Sequence, residues 1–390
     1  MIKKVELEVL NIGIKQNLSD AVCMKIPNDS ALAMVCTKNK FAAAPVVISK
    51  TNIQNNRIKY LFVNSGNANA CTGIVGYNNA QQYSRKLSAK LNCKSEELLI
   101  FSTGVIGKQL PMNKILSSIH NSNFSFKSTW EQASKSIMTT DKYNKFINKT
   151  FTIQGQQIRM NAICKGAGMI EPNMATMLAF MELNIKLSKS AISKLIKHVV
   201  DNSFNRISVD GDMSTNDSFV IIATGETETI DYDVDVTSFA LLKKNITKIC
   251  QDLCKMIVSD GEGSTKIIEI DVNNAQSESQ AKKIAFAIAN SNLVKTAMFG
   301  CDPNWGRVMA KIGSTNIDVD INKITLLIND HMIFCRGEID RRCNIEVLEQ
   351  SMKNREIFLN INLNSGRSRY KVMCSDLSHE YVDTNSLYTT

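Results

Sequence analysis

The chain has 390 residues, 44% of them hydrophobic and 21% charged, a balance typical of globular proteins at a length beyond one usual core. Its formal charge of +9 comes from scattered lysines without a dense basic block, which argues against a nucleic-acid site and leaves a mild field suited to small carboxylates. Eleven cysteines at irregular spacing, with no Cys-x-x-Cys pair, and four histidines in no ligand spacing argue against a disulfide scaffold or a zinc enzyme and for reduced thiols in the cytosol.

The opening MIKKVELEVLNIGI has charges breaking its apolar run, so no signal peptide is expected, and no stretch reaches the length of a membrane span. YLFVN (60–64) reads as a buried strand that ends in the loop SGNANACTG, followed by a helix from Tyr77 to about Leu91. Leu98–Ser102 is a second short strand, ending in STGVIG. Ser128 and Glu131 have capping-box spacing and predict a helix running to about Thr139. The run TMLAFMEL predicts a strongly apolar strand after Ala175. Helical periodicity then marks Ser188 to about Phe204, Val236 to about Val258, and Gln280–Ala297. In the last third, NIDVDI and IFLNINL alternate as strands do. Strands, helices and glycine-rich loops in this order predict a mixed α/β class with two lobes.

Loops at strand ends are where chemistry is sought first, because the scaffold holds them still. Five qualify: SGNANACTG (65–73), STGVIG (102–107), KGAGMIEPNMAT (165–176), VDGDMSTND (209–217) and SDGEGSTK (259–266). FGCDPNWGR (299–307) is a sixth candidate, after a helix. None carries a phosphate-binding glycine motif, and Asp210, Asp212 and Asp217 lack calcium-loop spacing. No Gly-x-Ser-x-Gly elbow occurs. Two readings of Thr176 stay open on the residues alone. It begins a buried strand, as β-branched residues do. Alternatively it presents a hydroxyl whose base is its own amine, freed by breaking the Ala175–Thr176 bond, since an α-amine titrates at about 7.7–8.0.

CKGAGMIEPNMATMLAF (164–180) resembles the signature of the ornithine acetyltransferase family, also called ArgJ. VNSGNANACTG, STGVIG, IMTTD (137–141), DGDMSTND, IANSNLVKTAMFGCDPNWGR (288–307) and the terminal TNSLYTT are similar to family segments in the same order. Met213, Asn292 and Cys301 depart from common family forms.

The resemblance implies a cytosolic enzyme of arginine biosynthesis with a layered sheet-and-helix fold, similar to N-terminal nucleophile hydrolases but with different topology. It implies self-cleavage at Ala175–Thr176 into chains 1–175 and 176–390, assembled as two of each. Thr176 becomes the nucleophile that carries acetyl from N²-acetyl-L-ornithine to L-glutamate, with Thr103 and Gly104 as the oxyanion hole. Substrate contacts carry over to Thr140, Lys165, Thr176, Glu262, Asn385 and Thr390. No metal or bound cofactor is implied, and acetyl-CoA stays open as a second acetyl donor. Each contact has a plainer reading: Lys165 as a surface lysine, Thr140 as the end of a helix, and Glu262 as an exposed loop acid with Asp260 as its competitor. Two whole-chain alternatives also stand, a DmpA-like aminopeptidase of the same fold and a non-catalytic ligand-binding protein.

Overall fold

Strand Tyr60–Asn67 runs parallel to Leu98–Val105 and antiparallel to Ala21–Lys25, which pairs in turn with Glu6–Leu10. Its side chains alternate between two cores, as the twofold period of a strand requires. Leu61 and Val63 face a second sheet, whereas Phe62 faces helices. The computed structural model in which this is seen describes residues 3–55, 57–171, 177–227 and 234–387.

The second sheet has five strands in the order Ala31–Cys36, Ser218–Ala223, Leu178–Leu183, Gln156–Lys165, Lys145–Ile153. LAFMEL and SFVIIA lie at its centre and are buried at every residue, which is why they read as unbroken apolar runs. The two sheets stack face to face through Leu61, Val63, Leu99 and Phe101 on one side and Ile163, Leu178, Phe180 and Val220 on the other. Phe101 meets Phe180 edge-on at 5.2 Å between ring centres. Helices Ala44–Asn55, Gly73–Lys90 and Met112–Asn121 cover the first sheet. Lys189–Asp201 and Val236–Ser259 cover the second, giving four layers.

A third sheet of seven strands forms the C-terminal lobe, with helices Glu278–Ala289, Asn292–Phe299, Trp305–Gly313 and Ile345–Ser351 sharing its separate core. Its edge strand, Ile207–Ser208, comes from the segment leading into VDGDMSTND, so that loop is anchored where the two lobes meet. The mixed α/β, two-lobed architecture read from the sequence is the one observed. No helix among the described residues is long and apolar enough to cross a membrane.

Three local expectations need correction. The capping box is Thr129 with Gln132, and its helix spans Trp130–Ser136. The Ser128 hydroxyl is instead engaged by the Val9 amide at 3.0 Å. The helix expected over Gln280–Ala297 breaks after Ala289, because Ser291 caps a new helix by accepting from the Val294 amide. NIDVDI forms no strand; Ile317 and Val319 pack against the C-terminal core without a ladder partner in the described residues. The Ala175–Thr176 junction does not separate spatial units. It falls between Gln156–Lys165 and Leu178–Leu183, neighbouring antiparallel strands of one sheet.

Candidate active site

All five glycine-rich loops reach one cavity of about 220 Å³. Ala68 comes from the first loop, and Thr103, Gly104 and Ile106 from the second. Lys165, Gly168 and Met169 come from the third, Asp210, Asp212, Ser214 and Asn216 from the fourth, and Glu262 from the fifth. Thr139 and Thr140 close one side, and Tyr381 and Asn385 of the C-terminal helix His379–Leu387 another. The sixth candidate loop, FGCDPNWGR, contributes nothing to this lining.

The loops are held by polar side chains that the folded backbone consumes. Asn216 donates to the Ala68 and Ser102 carbonyls at 2.7 and 2.9 Å, tying VDGDMSTND to the end of the first sheet. Asp210 accepts the Met169 and Ile170 amides at 2.6 and 2.8 Å, tying it to the third loop. The Glu262 amide donates to the Ala167 carbonyl at 2.9 Å. Gly104 has φ +128°, and a Cβ there would lie 2.3 Å from the Gly66 carbonyl carbon on the parallel neighbour. Only glycine fits that close approach. At Gly168 a Cβ would lie 2.5 Å from the Glu262 carboxylate.

Lys165 is 6% exposed with Nζ 3.9 Å from Asp141; burial lowers its pKa, and Asp141 works against that. Burial opposes ionisation of Asp141 as well, yet Lys165 and Lys145 pull its carboxyl down to about 2. Lys145 lies within 2.7 Å of Asp141 and 2.5 Å of Asp260, all three side chains being fully buried. Asp217 is buried, and burial pushes its pKa well up, although the Met177 amide, the Ser214 hydroxyl and the Lys165 charge counteract. The Tyr381 phenol is also pushed up by burial and by the nearby Asp210, Glu262 and Asp212. A ligand with a carboxylate and one or more ammonium groups matches a lining that holds Lys165 together with the carboxylates Glu262, Asp210 and Asp212. The volume is at the small end of ligand sites and suits an amino-acid derivative.

The ArgJ family model matches residues 6–390, nearly the whole chain. The chain belongs to the ArgJ family. It is 36% identical over 382 residues to the arginine biosynthesis bifunctional protein ArgJ of Caldanaerobacter subterraneus subsp. tengcongensis, covering 97% of this chain and 95% of that one. It is 40% identical to the ArgJ 2 protein of Clostridium acetobutylicum, with the same coverage of each chain. The solved ArgJ of Bacillus halodurans aligns at a TM-score of 0.50 and 33% identity, over 53% of this chain and 96% of the solved one.

Thr103, Gly104, Thr140, Lys165, Glu262 and Asn385, singled out on the sequence, all line the cavity of this ArgJ-family chain. Ala175, Thr176 and Thr390 lie outside the described residues. Met177, the residue after Thr176, is buried, and its carbonyl accepts from Ser218 at 3.0 Å. Lys165 is no surface lysine, and Glu262 is 9% exposed where an exposed loop acid was expected. Its competitor Asp260 is consumed by Lys145 and by the Lys142 amide at 3.1 Å. The sequence reading missed Tyr381, Thr139, Asn216 and Asp141. Tyr381 had a signal: it lies four residues before Asn385, which on a helix puts both on one face. Asp141 had only its place at the end of IMTTD.

Proposed function

We propose that this chain is an acetyltransferase of arginine biosynthesis that moves acetyl from N²-acetyl-L-ornithine to L-glutamate. The observation that carries the reading is the convergence of Thr103, Gly104, Thr140, Lys165, Glu262 and Asn385 on one cavity. Thr176 is two residues upstream of Leu178, whose register partner across the sheet is Lys165. The nucleophile of the proposal is thus linked by a short piece of chain to the wall of that cavity.

The chain first processes itself. Thr176 Oγ adds to the Ala175 carbonyl, the C–N bond gives way to an ester as nitrogen takes the proton, and water hydrolyses the ester. Ala175 keeps the new carboxylate and Thr176 a free amine. That amine takes the Thr176 hydroxyl proton as Oγ attacks the acetyl carbonyl, then returns it to the departing ornithine nitrogen. Thr103 and Gly104 stabilise the oxyanion, where one lost donor costs about 2.7–4 kcal/mol of transition-state stabilisation. The glutamate amine then attacks acetyl-Thr176, the ester C–O bond breaks as the Thr176 amine passes the glutamate nitrogen's proton to Oγ, and N-acetylglutamate leaves. Lys165 takes the substrate carboxylate, and Glu262 with Asn385 takes the ammonium end.

Two chains, 1–175 and 176–390, stay together as strands of one sheet and assemble as two of each in the cytosol. The half-length solved relative, matched over 96% of itself by 53% of this chain, supports a family member existing as separate pieces. Acetyl-CoA is a second donor in this proposal, supported by the word bifunctional in the relatives' names.

The test is a denaturing gel combined with an acetyl-transfer assay. Two bands, with the smaller chain ending at Ala175, and glutamate-dependent release of ornithine are expected. Thr176→Ala should give one band and no transfer. Release of ornithine at an equal rate without glutamate would assign a hydrolase instead. An assay with acetyl-CoA and glutamate alone decides the second donor.

A further inference from the structure

Asp141 has no part in the transfer chemistry and is nonetheless fully buried beside the cavity. Its two oxygens serve four partners. Oδ1 accepts from the Gly166 amide at 2.7 Å and from Lys145 Nζ at 2.7 Å. Oδ2 accepts from the Thr139 amide at 3.0 Å and lies 3.9 Å from Lys165 Nζ. Lys145 continues to Asp260 at 2.5 Å, and Asp260, which lies two residues before Glu262 in sequence, accepts the Lys142 amide. One carboxylate therefore touches the backbone of the Thr140 loop, the backbone after Lys165, the Lys165 ammonium and, through Lys145, the loop of Glu262.

We propose that Asp141 is a positioning residue of the acetyl-transfer site, holding the Lys165 cation and fixing the three loops that carry Thr140, Lys165 and Glu262. The inference rests on the acetyl-transfer reading for its substrates. Asp141 touches neither substrate nor reacting atoms and acts through Lys165.

The physical reason lies in the balance around Lys165. The charged or titratable groups that face it are Asp141, Lys145, Glu262, Asp217 and Lys15. Lys145 and Lys15 repel its charge, and burial pushes Asp217 toward its neutral form. Asp141 has the largest favourable effect set against the burial of this ammonium. Without it, desolvation dominates and Lys165 sheds its proton at lower pH. A neutral amine is a poor partner for a substrate carboxylate.

Asp141→Asn keeps the shape and removes the charge; Lys145 retains Asp260, so Lys165 is the buried lysine that loses its ion-pair partner. Processing is checked first on a denaturing gel and folding by thermal melting. The expected outcome is a processed, folded protein whose KM rises about tenfold or more for both acetylornithine and glutamate while kcat changes less than about threefold. The alkaline limb of kcat/KM should move toward lower pH. Asp141→Glu, which keeps the charge on a longer arm, should restore the limb while KM stays raised. Unchanged KM and an unmoved limb in Asp141→Asn would overturn the proposal, as would a fall in melting temperature alone. If Asp141→Asn does not fold, Asp141→Glu decides: a wild-type limb with raised KM supports the assignment, and wild-type KM or a displaced limb refutes it.

Calorimetric titration of L-glutamate into both proteins separates this proposal from the reading beneath it. A wild type that binds glutamate without transferring acetyl sinks the reading, and the loss of binding in Asp141→Asn still supports the inference. A wild type that transfers acetyl alongside an Asp141→Asn protein of equal affinity sinks the inference alone. A wild type that does not bind glutamate overturns both.

Discussion

Asn385 donates through Nδ2 to Glu262 Oε2 at 2.9 Å and to the Tyr381 carbonyl of its own helix at 3.0 Å. Both amide hydrogens are spent, so the C-terminal helix is clamped to the fifth loop and the Glu262 carboxylate has one fixed neighbour. The contact joins the last described helix to a loop more than a hundred residues earlier, on the rim of the cavity.

Removing that clamp should act on binding before turnover. A hydrogen bond to a charged group contributes about 1.5–3 kcal/mol, so Asn385→Ala should raise KM for acetylornithine by about tenfold or more. Asn385→Asp should be worse than Asn385→Ala, because it sets a second carboxylate against Glu262. Steady-state kinetics of the two variants check the order, and equal KM values would remove Asn385 from this role.

The two tight glycines should fail in different ways. At Gly104 an added Cβ meets backbone on the neighbouring strand, which cannot yield, and the residue already has a left-handed φ. Gly104→Ala should therefore lose folding or processing. At Gly168 the obstacle is the end of the Glu262 side chain, which can shift at the expense of its bond from Asn385. Gly168→Ala should fold with a melting temperature near wild type and a raised KM. Melting curves beside kinetics separate the two, and a stable, fully active Gly104→Ala would contradict the close-approach argument.

Buried and exposed ion pairs provide a stability contrast. Lys145 is enclosed between Asp141 and Asp260, and truncating one partner of such a pair typically costs about 3–5 kcal/mol. Lys145→Met should shift the denaturant midpoint accordingly. Lys135 pairs with Glu131 on an open helix face, where such pairs contribute about 0.3–0.5 kcal/mol. Lys135→Ala should leave the midpoint nearly unmoved.

What the sequence made legible follows from how local each signal is. Ser188 accepts from the Ala191 amide and starts its helix where the periodicity placed it, since cap and amphipathic face lie within one segment. The five glycine-rich loops were visible as loops, and most of the site residues carried over by resemblance fall in or near them. Asp141 was not legible because Lys165 and, across Lys145, Asp260 come from a separate strand and a helix end, and only the fold brings them to Asp141 and its near neighbour Lys145. The capping box slipped by one residue for the same reason, a tertiary bond from Val9 to Ser128. NIDVDI alternated correctly but has no ladder partner among the described residues, and alternation alone does not supply one.

The acid limit of stability should also report Asp141. Its carboxyl releases its proton at about 2 in the folded chain, below the unfolded aspartate value of about 3.9. Between those values the unfolded chain binds more protons, so stability falls as the medium is acidified. The contribution of Asp141 is whole above about pH 4 and is lost as pH falls through about 2. Urea midpoints measured from pH 5 to pH 2 should therefore drop more steeply for wild type than for Asp141→Asn, which has no proton to gain at that position. Parallel curves for the two proteins in this window would mean that the carboxylate is not held ionised by Lys165 and Lys145.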